Sequence, residues 1–344
     1  MTTLITRRSV LSAAAALSAT AAWPRVGHAA GDWRPSETVR IIVPAAAGGS
    51  TDVMGRLLAA HLQNVWGQSA VVENRSGGGG TIGTAEVARQ KGDGHTILVG
   101  NPGPNAIAYS IFRNLSYKPE QLQPVSNMIR IPNIVCAHPS VPIKTIPELI
   151  AYIKANPDKL NYGSSGVGQS PHLTGAWWLQ LTGLKMQHVP FRGAGPALQA
   201  ALAGDVQILF DNLYPSLPQV LDGKLNGLAV TTLERNAQAP NIPAMRETAP
   251  ELAKFDVSSW FGVFYPKSTP AAAVDSLNKE IKVLLEREDT KKTIMAMGAV
   301  TDYGTPAQFS TFIEAETAKF KTIIDKEGSA DGGEVTPSSP MPVQ

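Results

Sequence analysis

The segment VPAAAGGSTDVMGRLL, residues 43–58, joins an apolar run to an amphipathic run through seven small residues. The run VRIIVP (39–44) is typical of a β-strand, and the residues after the loop have helical spacing up to Trp66, where Gly67 can end the helix. The segment therefore predicts a strand–loop–helix unit. Its small side chains allow two interpretations. The loop is either a tight connection or a backbone kept bare so that a ligand can approach it.

The same alternation continues along the chain and predicts an α/β protein. AVVEN (70–74) and HTILVGN (95–101) are further predicted strands, each followed by a loop and a helical pattern. A second series of strands and helices begins at about residue 134, and a third segment begins at about residue 257. This order is typical of mostly parallel sheets that are flanked by helices.

The third segment is expected to return to the first unit, which gives two lobes. We assign residues 36–133 and 256–327 to the first lobe and residues 134–255 to the second, with crossing strands near residues 130–135 and 254–258. Facing loops of two lobes form a cleft, where ligands prefer to bind. Residues 328–344 have no periodicity and are expected to be a disordered tail.

Residues 1–29 have the organisation of an export signal. Arg7 and Arg8 precede a core of about 13 apolar and small residues, and small residues up to Ala29 suit a signal peptidase. A membrane-spanning helix needs about 20 apolar residues, so this core is too short. TRRSVLS also resembles a twin-arginine signal. We expect periplasmic export by that route, with the general export route and an ordinary amphipathic helix as alternatives.

The remaining composition argues against several classes of function. Without residues 1–29, the chain has 27 basic and 28 acidic residues, so nothing favours nucleic acid or an anionic membrane as a partner. Cys136 is the only cysteine, which excludes an intramolecular disulfide and favours a buried apolar role. The six histidines lack metal-ligand spacing, so we expect no metal and no other cofactor.

Four loops rich in small and polar residues follow predicted strands, at residues 45–52, 101–105, 164–172 and 191–197. Ligands of parallel sheets bind outside the carboxyl ends of the strands. Three of these loops lead directly into a helix, whose N-terminus offers free N–H groups and a partial positive charge to a carboxylate or phosphate. The repetition of this feature favours an anion-binding cradle over a set of tight turns.

Individual loop residues also have structural interpretations. Asp52 can cap its helix, His172 can be an ordinary helix residue, and Phe191 can belong to the core as well as to a cleft wall. Ser170 and Thr269, each followed by proline, are the expected N-caps of two later helices.

Two enzyme-like patterns are weaker. Gly78, Gly80 and Gly83 match the dinucleotide fingerprint, but the next strand ends in Asn101 instead of an acidic residue. A nucleophilic Ser164 or Ser165 beside one of the nearby histidines remains an open alternative, although no hydrolase motif supports it.

Seven segments carry a family resemblance, and they occur in the order IIVPAAAGGSTDVMGRLLAAHL, VVENRSGGGGTIGTAEVA, DGHTILVG, YGSSGVGQSPHL, HVPFRGAGPALQAALAGDVQILFDN, LNGLAVTT and SSWFGVFYPKSTP. Over about residues 36–327, the chain resembles the extracytoplasmic receptors of tripartite tricarboxylate transporters, the Bug-type proteins. The resemblance implies a two-lobe periplasmic-binding-protein (Venus flytrap) fold. It also implies a carboxylate ligand, held by amides, hydroxyls and ordered waters, and delivery to a membrane permease.

The ligand-binding residues follow from this resemblance and from the four loops. The resemblance implies Ala47, Gly49, Ser50, Thr51, Ser164, Ser165, Gly168, Phe191, Gly193 and Asp211, and the loops add Asn101, Gln169 and His172. Ala45 and the pair Phe191-Arg192 depart from the usual family residues, which are an aromatic and Tyr-Lys or Tyr-Arg. A larger or more apolar pocket is the expected consequence, which makes an aromatic carboxylate an alternative to a small di- or tricarboxylate.

We therefore expect a monomeric periplasmic solute-binding protein with no catalysis of its own. Its expected partners are a small organic carboxylate and the membrane permease of a tripartite tricarboxylate transporter. A receptor that presents its ligand to a membrane sensor is one alternative, and a serine-type hydrolase is another.

Overall fold

Strands and helices alternate through most of the chain, as the sequence predicts. The computed structural model describes residues 33–330. The strands are β1 (Val39–Val43), β2 (Ala70–Asn74), β3 (Thr96–Gly100), β4 (Leu122–Ala137), β5 (Asn161–Ser164), β6 (Gln187–Pro190), β7 (Ile208–Asn212), β8 (Asn226–Val230), β9 (Ser258–Pro266) and β10 (Val300–Thr301). The α-helices are α1 (Ser50–Trp66), α2 (Thr81–Ala88), α3 (Ala108–Ile111), α4 (Ile146–Ala155), α5 (Ser170–Thr182), α6 (Ala194–Ala203), α7 (Leu213–Leu221), α8 (Ala271–Glu286), α9 (Glu288–Ala296) and α10 (Pro306–Ala330).

The long strand β4 belongs to two sheets. Its first part pairs antiparallel with β9 as far as Pro132, which lies opposite Ser258. From Asn133 onward it pairs antiparallel with β7 on one edge and, from Ile134, with β8 on the other. Proline has no N–H group to donate to a sheet, so Pro132 suits the point where the strand changes partners.

Both sheets combine parallel and antiparallel pairs. In the first sheet β1 is parallel to β2 and β3, while β9 is antiparallel to β3 and β4. In the second sheet β5 is parallel to β6 and β7, while β4 is antiparallel to β7 and β8. Parallel strands place their carboxyl ends at one edge, so the loops after β1, β3, β5 and β6 lie where a site can form.

Aromatic side chains fill the space between β9 and the last helix, α10. The Trp260 ring lies 5.7 Å from the rings of both Phe309 and Phe312, in edge-on contacts, and Phe264 lies 5.2 Å from Phe309. Such pairs contribute about 0.5–1.5 kcal/mol beyond their buried area. The C-terminal helix therefore packs against the first sheet, although all the strands and helices of the second sheet lie between it and β1–β3 in the sequence.

Some helix ends agree with the sequence and two differ. Gly67 ends α1 with a left-handed φ of 70°, as predicted. The predicted cap Ser170 is instead the first residue of α5, after the N-cap Gln169, and its hydroxyl accepts a hydrogen bond from Asn133 Nδ2. At α8 the N-cap is Pro270, not Thr269.

The predicted export signal (1–29) lies outside the described residues, as do residues 331–344 of the predicted tail, whereas α10 continues to Ala330. Between residues 33 and 330, the helices are too short or too polar to cross a membrane.

Candidate ligand-binding site

A cavity of about 320 Å³ lies where the strand ends of the two sheets face each other. Its wall consists of the segments that follow β1, β2, β3, β5 and β6, together with residues of β7 and β9 and a phenylalanine that follows α3. The lining residues are Pro44, Ala45, Ala46, Gly49, Ser50, Thr51, Gly77, Gly78, Gly79, Gly80, Asn101, Pro102, Phe112, Ser165, Gly166, Val167, Gln169, Pro190, Phe191, Arg192, Gly193, Ala194, Asn212, Ser259 and Phe261.

Three helices, α1, α5 and α6, begin at this cavity. Their N-cap residues Gly49, Gln169 and Gly193 line it, and none of the three forms a side-chain cap hydrogen bond. The first N–H groups of a helix lack intrahelical acceptors and carry the positive end of the helix dipole. Three such termini around one space favour an anion there.

Ser50, the first residue of α1, is the side chain that points most directly to a ligand. It is only 2% exposed and lines the cavity, and its Oγ has no hydrogen-bond partner among residues 33–330. A buried hydroxyl left without a partner costs about 1–3 kcal/mol. The next hydroxyl, Thr51 Oγ1, accepts a hydrogen bond of 3.4 Å from Asn101 Nδ2 and so joins the α1 terminus to the end of β3.

Asp52 holds the first loop in place without lining the cavity. Its carboxylate accepts hydrogen bonds from Gly48 N (3.0 Å), Asn74 Nδ2 (2.9 Å) and Arg56 Nε (2.9 Å). Burial alone would raise the pKa of Asp52, but these three hydrogen bonds outweigh it and keep the pKa below its usual value. The expected role as a helix cap is therefore replaced by a wider one, because Asp52 connects the loop to β2.

The second-sheet loop, residues 164–172, uses its polar groups within the protein. Ser164 is fully buried, and its Oγ lies 2.7 Å from His188 Nε2 and accepts a hydrogen bond of 3.3 Å from Gly166 N. The His188 ring stacks on His172 with centroids 4.3 Å apart. His172 Nδ1 in turn accepts a hydrogen bond of 3.2 Å from Gly168 N, so the neutral ring carries its proton on Nε2.

Both imidazoles in this stack are neutral at pH 7. Burial lowers the pKa of His172 to about 4. Burial, together with the neighbouring His172, lowers the pKa of His188 to about 2. The histidines therefore support the loop as uncharged groups, and they add no positive charge to the cavity.

The loops of the two sheets touch across the cavity through small residues. Gln169 Nε2 donates a hydrogen bond of 2.7 Å to the carbonyl of Gly79. A Cβ at Gly79, where φ is +61°, would lie 2.1 Å from the carbonyl oxygen of Val167, and a Cβ at Gly193 would lie 2.9 Å from Ala46 Cβ. Glycine and alanine in these loops therefore allow backbone to approach backbone. This close approach explains part of the small-residue content of residues 45–51.

The cavity wall combines neutral polar side chains and apolar groups with one charged side chain. Arg192 is the only charged residue among the described residues that line it, and its side chain is exposed. The rings of Phe112, Phe191 and Phe261 lie in the wall, with prolines and Val167 between them. This arrangement provides positive potential at the helix termini and apolar contact for the body of a ligand.

The structure brings eight of the predicted residues together in the cavity wall: Gly49, Ser50, Thr51, Asn101, Ser165, Gln169, Phe191 and Gly193. The other five do not line it. Ala47 is exposed outside the cavity. Gly168, with φ +77°, packs against the Phe112 ring, and its N–H group donates to His172 of the histidine stack. Ser164 and His172 belong to the buried stack described above.

Asp211 precedes the lining residue Asn212 on β7 but does not itself line the cavity. It is fully buried, its Oδ2 accepts a hydrogen bond of 2.8 Å from Ser216 Oγ, and its Oδ1 has no partner among residues 33–330. Burial raises its pKa to about 7, although the hydrogen bonds from Ser216 and from the Asn212 backbone act in the opposite direction. Successive strand residues face opposite sides of a sheet, so Asn212 lines the cavity and Asp211 does not.

Sequence reasoning missed several lining residues. Residues 77–80 belong to the loop after β2. This loop follows a predicted strand, as the four loops selected from the sequence do, so its position in the chain was the available signal. Ser259 and Phe261 are two apart on β9 and therefore share a face, a signal that becomes useful only once the position of β9 is known. Phe112 follows the short helix α3, which the sequence pattern did not predict.

A family model described as the tripartite tricarboxylate transporter family receptor matches residues 54–329. The chain belongs to this receptor family. Among its relatives, BugT of Bordetella pertussis is 33% identical over 300 residues, which cover 87% of this chain and 91% of BugT. The predicted resemblance is confirmed, and the family consists of solute-binding proteins.

Solved structures show that this family member has a two-lobe binding-protein fold. R. palustris Rpa4515 with adipate is 33% identical, with a TM-score of 0.83, covering 86% of this chain and 99% of that one. MatC (Rpa3494) from Rhodopseudomonas palustris with bound malate is 30% identical, with a TM-score of 0.80, covering 84% and 99%. Periplasmic binding protein BugD is 31% identical, with a TM-score of 0.81, covering 86% and 98%. The predicted fold class is thus confirmed.

Proposed function

We propose that this protein is a periplasmic receptor that binds a small carboxylate in the cavity and delivers it to the membrane permease of a tripartite tricarboxylate transporter. The observation that carries this proposal is the buried hydroxyl of Ser50 at the N-terminus of α1, which has no hydrogen-bond partner among residues 33–330 and lies beside the termini of α5 and α6. A carboxylate supplies both the acceptors and the negative charge that these groups favour. A cation or a neutral apolar molecule supplies neither.

The similar structures support this ligand class. Rpa4515 holds adipate and MatC holds malate, and both are carboxylates with two acid groups. In the present cavity one acid group fits the helix termini, and Arg192 at the rim is available for a second. The phenylalanine rings suit a hydrocarbon linker or an aromatic body better than a third acid group. A dicarboxylate with an apolar linker, or an aromatic carboxylate, is therefore the preferred class.

Binding without turnover is part of the proposal. The nearest approach to a catalytic arrangement is the pair Ser164 Oγ and His188 Nε2, 2.7 Å apart. Ser164 is fully buried and stands outside the cavity wall, so a bound ligand does not reach its hydroxyl. The pair instead supports the loop that leads to Gln169.

We also infer the organisation around the site. One lobe consists of residues 36–133 and 256–327, and the other consists of residues 134–255. The protein is a monomer, and its two lobes close over the ligand. Residues 1–29 direct the chain to the periplasm, by the twin-arginine route. Presentation of the ligand to a membrane sensor is the alternative to delivery to a permease.

Thermal melting of the chain without residues 1–29 tests the binding step. Adipate, malate and benzoate are compared with dimethyl adipate and methyl benzoate, which match two of the acids in shape but lack their charge. An acid at 100 times its dissociation constant adds about 2.7 kcal/mol of stability, so at least one should raise the melting temperature clearly. Equal shifts with the esters, or no shift with any acid, would contradict the proposal.

Two further measurements separate the alternatives. Mass spectrometry of the ligand after long incubation should find it unchanged, and turnover that disappears in Ser164→Ala would favour the hydrolase. Deletion of the gene should abolish uptake of the acid that binds. Normal uptake together with a lost transcriptional response would favour the sensor role.

A further inference from the structure

Asn133 occupies the point where β4 passes from the first sheet to the second. The pairing of β4 with β9 ends at Pro132, opposite Ser258, and the pairing with β7 begins at Asn133, opposite Asn212. Asn133 is fully buried. A movement of one lobe against the other has to bend the chain near this residue, because β4 is continuous through both sheets.

The side-chain amide of Asn133 uses its full hydrogen-bonding capacity. Its Nδ2 donates to Ser170 Oγ and to Thr174 Oγ1, both at 2.8 Å. Its Oδ1 accepts from Asn212 Nδ2 at 2.7 Å and from Ser259 Oγ at 3.1 Å. A further hydrogen bond of 2.7 Å runs from Asn212 Nδ2 to Ser259 Oγ, so Asn133, Asn212 and Ser259 form a triangle of hydrogen bonds. A buried amide with every group satisfied strongly favours one arrangement of its partners.

These partners belong to different working parts of the site. Asn212, on β7 of the second sheet, and Ser259, on β9 of the first, both line the cavity. Ser170 begins α5, whose N-cap Gln169 also lines the cavity and reaches across it to Gly79. The Asn133 amide, which lies outside the cavity wall, therefore connects the terminus of α5 with the cavity floor, by which we mean Asn212 of the second sheet and Ser259 of the first.

We propose that Asn133 is a positioning residue that stabilises the closed arrangement of the two lobes and thereby sets ligand affinity without touching the ligand. The affinity part rests on the proposed carboxylate-binding function, whereas the closure part does not. Rotation about the β4 junction changes the separation of Asn212 and Ser259, and the triangle holds them at the spacing seen when the loops touch. Loss of the amide removes this preference, because only the direct hydrogen bond between Asn212 and Ser259 then remains between these two cavity-lining groups.

Asn133→Ala tests the proposal, with Asn127→Ala as the matched control. Asn127 is a buried asparagine on the same strand, but its Nδ2 donates to Asp302, which does not line the cavity, whereas Asn133 bonds to the lining residues Asn212 and Ser259. Both variants should lower the urea midpoint. Only Asn133→Ala should weaken adipate binding, by about tenfold or more, and shift the distance between spin labels on the two lobes towards longer values. If Asn133→Ala does not fold, Asn133→Ser, which keeps a smaller polar group, should show the same changes at lower amplitude.

A double-mutant cycle shows whether the effect passes through the cavity floor. Ser259→Ala should weaken adipate binding in the wild-type background and have a much smaller effect when combined with Asn133→Ala. Additive losses, or unchanged affinity and unchanged label distances in Asn133→Ala, would overturn the proposal. If the wild type binds none of adipate, malate and benzoate, the proposed function fails. The label distances of the ligand-free proteins then decide the closure part alone.

Discussion

The first loop (Pro44–Asp52) and the second loop (Ser164–His172) occupy equivalent places, each between a parallel strand and a helix at the cavity. They differ in where their hydrogen-bonding groups are used. In the first loop, Asp52 fixes the backbone from behind and the hydroxyl of Ser50 is left facing the cavity without a partner among the described residues. In the second, the hydroxyl of Ser164 is bound to His188.

This difference separates two tasks that one sequence pattern suggests for both loops. The first loop keeps donors available and is suited to select an anion. In the second loop the Ser164 hydroxyl is used within the protein, and the N-cap Gln169 donates across the cavity to Gly79, so this loop is also suited to close the site. The two small-residue loops therefore both place a helix terminus at the cavity, but only the second also joins the two backbones across it.

The largest effect is expected from blocking the approach of the two backbones. Gly79→Ala places a Cβ where the Val167 carbonyl oxygen would lie 2.1 Å away, at a φ of +61° that side chains rarely adopt. Adipate affinity should fall by 100-fold or more, which corresponds to about 3 kcal/mol, in isothermal titration.

Gly67→Ala is the control for that substitution. Gly67 has a similar φ of +70°, but nothing lies within 4 Å of the added Cβ, and it does not line the cavity. It should lose stability and keep its affinity. Equal affinity losses in both variants would show that backbone strain, and not closure, explains the result.

Removing the free donor of the first loop should have the next largest effect. Ser50→Ala deletes the hydroxyl without adding bulk, and a hydrogen bond to a charged group contributes about 1.5–3 kcal/mol, or roughly 10- to 150-fold in affinity. Ser164→Ala should instead lower the melting temperature and change adipate affinity by less than about threefold. Reversed results would mean that the second loop selects the ligand.

The smallest effect concerns the histidine stack of the second loop. The pKa of His172 is lowered to about 4 in the folded protein, so between pH 6.5 and 4 the unfolded chain binds a proton that the folded chain does not. Stability should therefore fall as the pH drops through this window.

His172→Asn keeps an acceptor for the Gly168 N–H group but cannot titrate. Urea unfolding at pH 7 and pH 4.5 should show a loss that is smaller by about 1–2 kcal/mol in the variant than in the wild type. His188 still titrates in both proteins, so some loss remains. Identical losses would show that His172 does not contribute to the acid sensitivity of this loop.

Local patterns were sufficient for much of the fold. The strand β2 has the bounds that the sequence indicates, and Thr145 and Glu148, three residues apart, form a reciprocal pair at the start of α4. These features depend on composition and on residues three or four apart. The sequence predicts a crossing strand near residues 130–135, but the length of β4 and the identity of its partners depend on contacts with distant strands and could not be predicted.

The candidate site was predictable to a similar degree. Loops after strands were identified because their composition is unusual, and Ser50 and Gln169 lie where that reasoning placed them. Predictions of lining residues were wrong where neighbouring residues of one strand point to opposite sides of the sheet. Asp211 and Asn212 are neighbours with opposite orientations, and the same applies to Ser164 and Ser165 at the end of β5. Hydrogen-bonding capacity that is satisfied by a distant residue leaves no local signal.

The long pairing of β4 with β9 also determines the order in which the chain can fold. Leu122 lies opposite Pro266, so the first sheet is incomplete until the ribosome has released Pro266, although β1, β2 and β3 all lie within the first 100 residues. Until then β3 presents an unpaired edge, and such edges recruit other chains. The sheet whose first strands are synthesised earliest is thus completed late. The exposed edge of β3 in a growing chain therefore needs shielding, for example by a chaperone, until β9 has been synthesised.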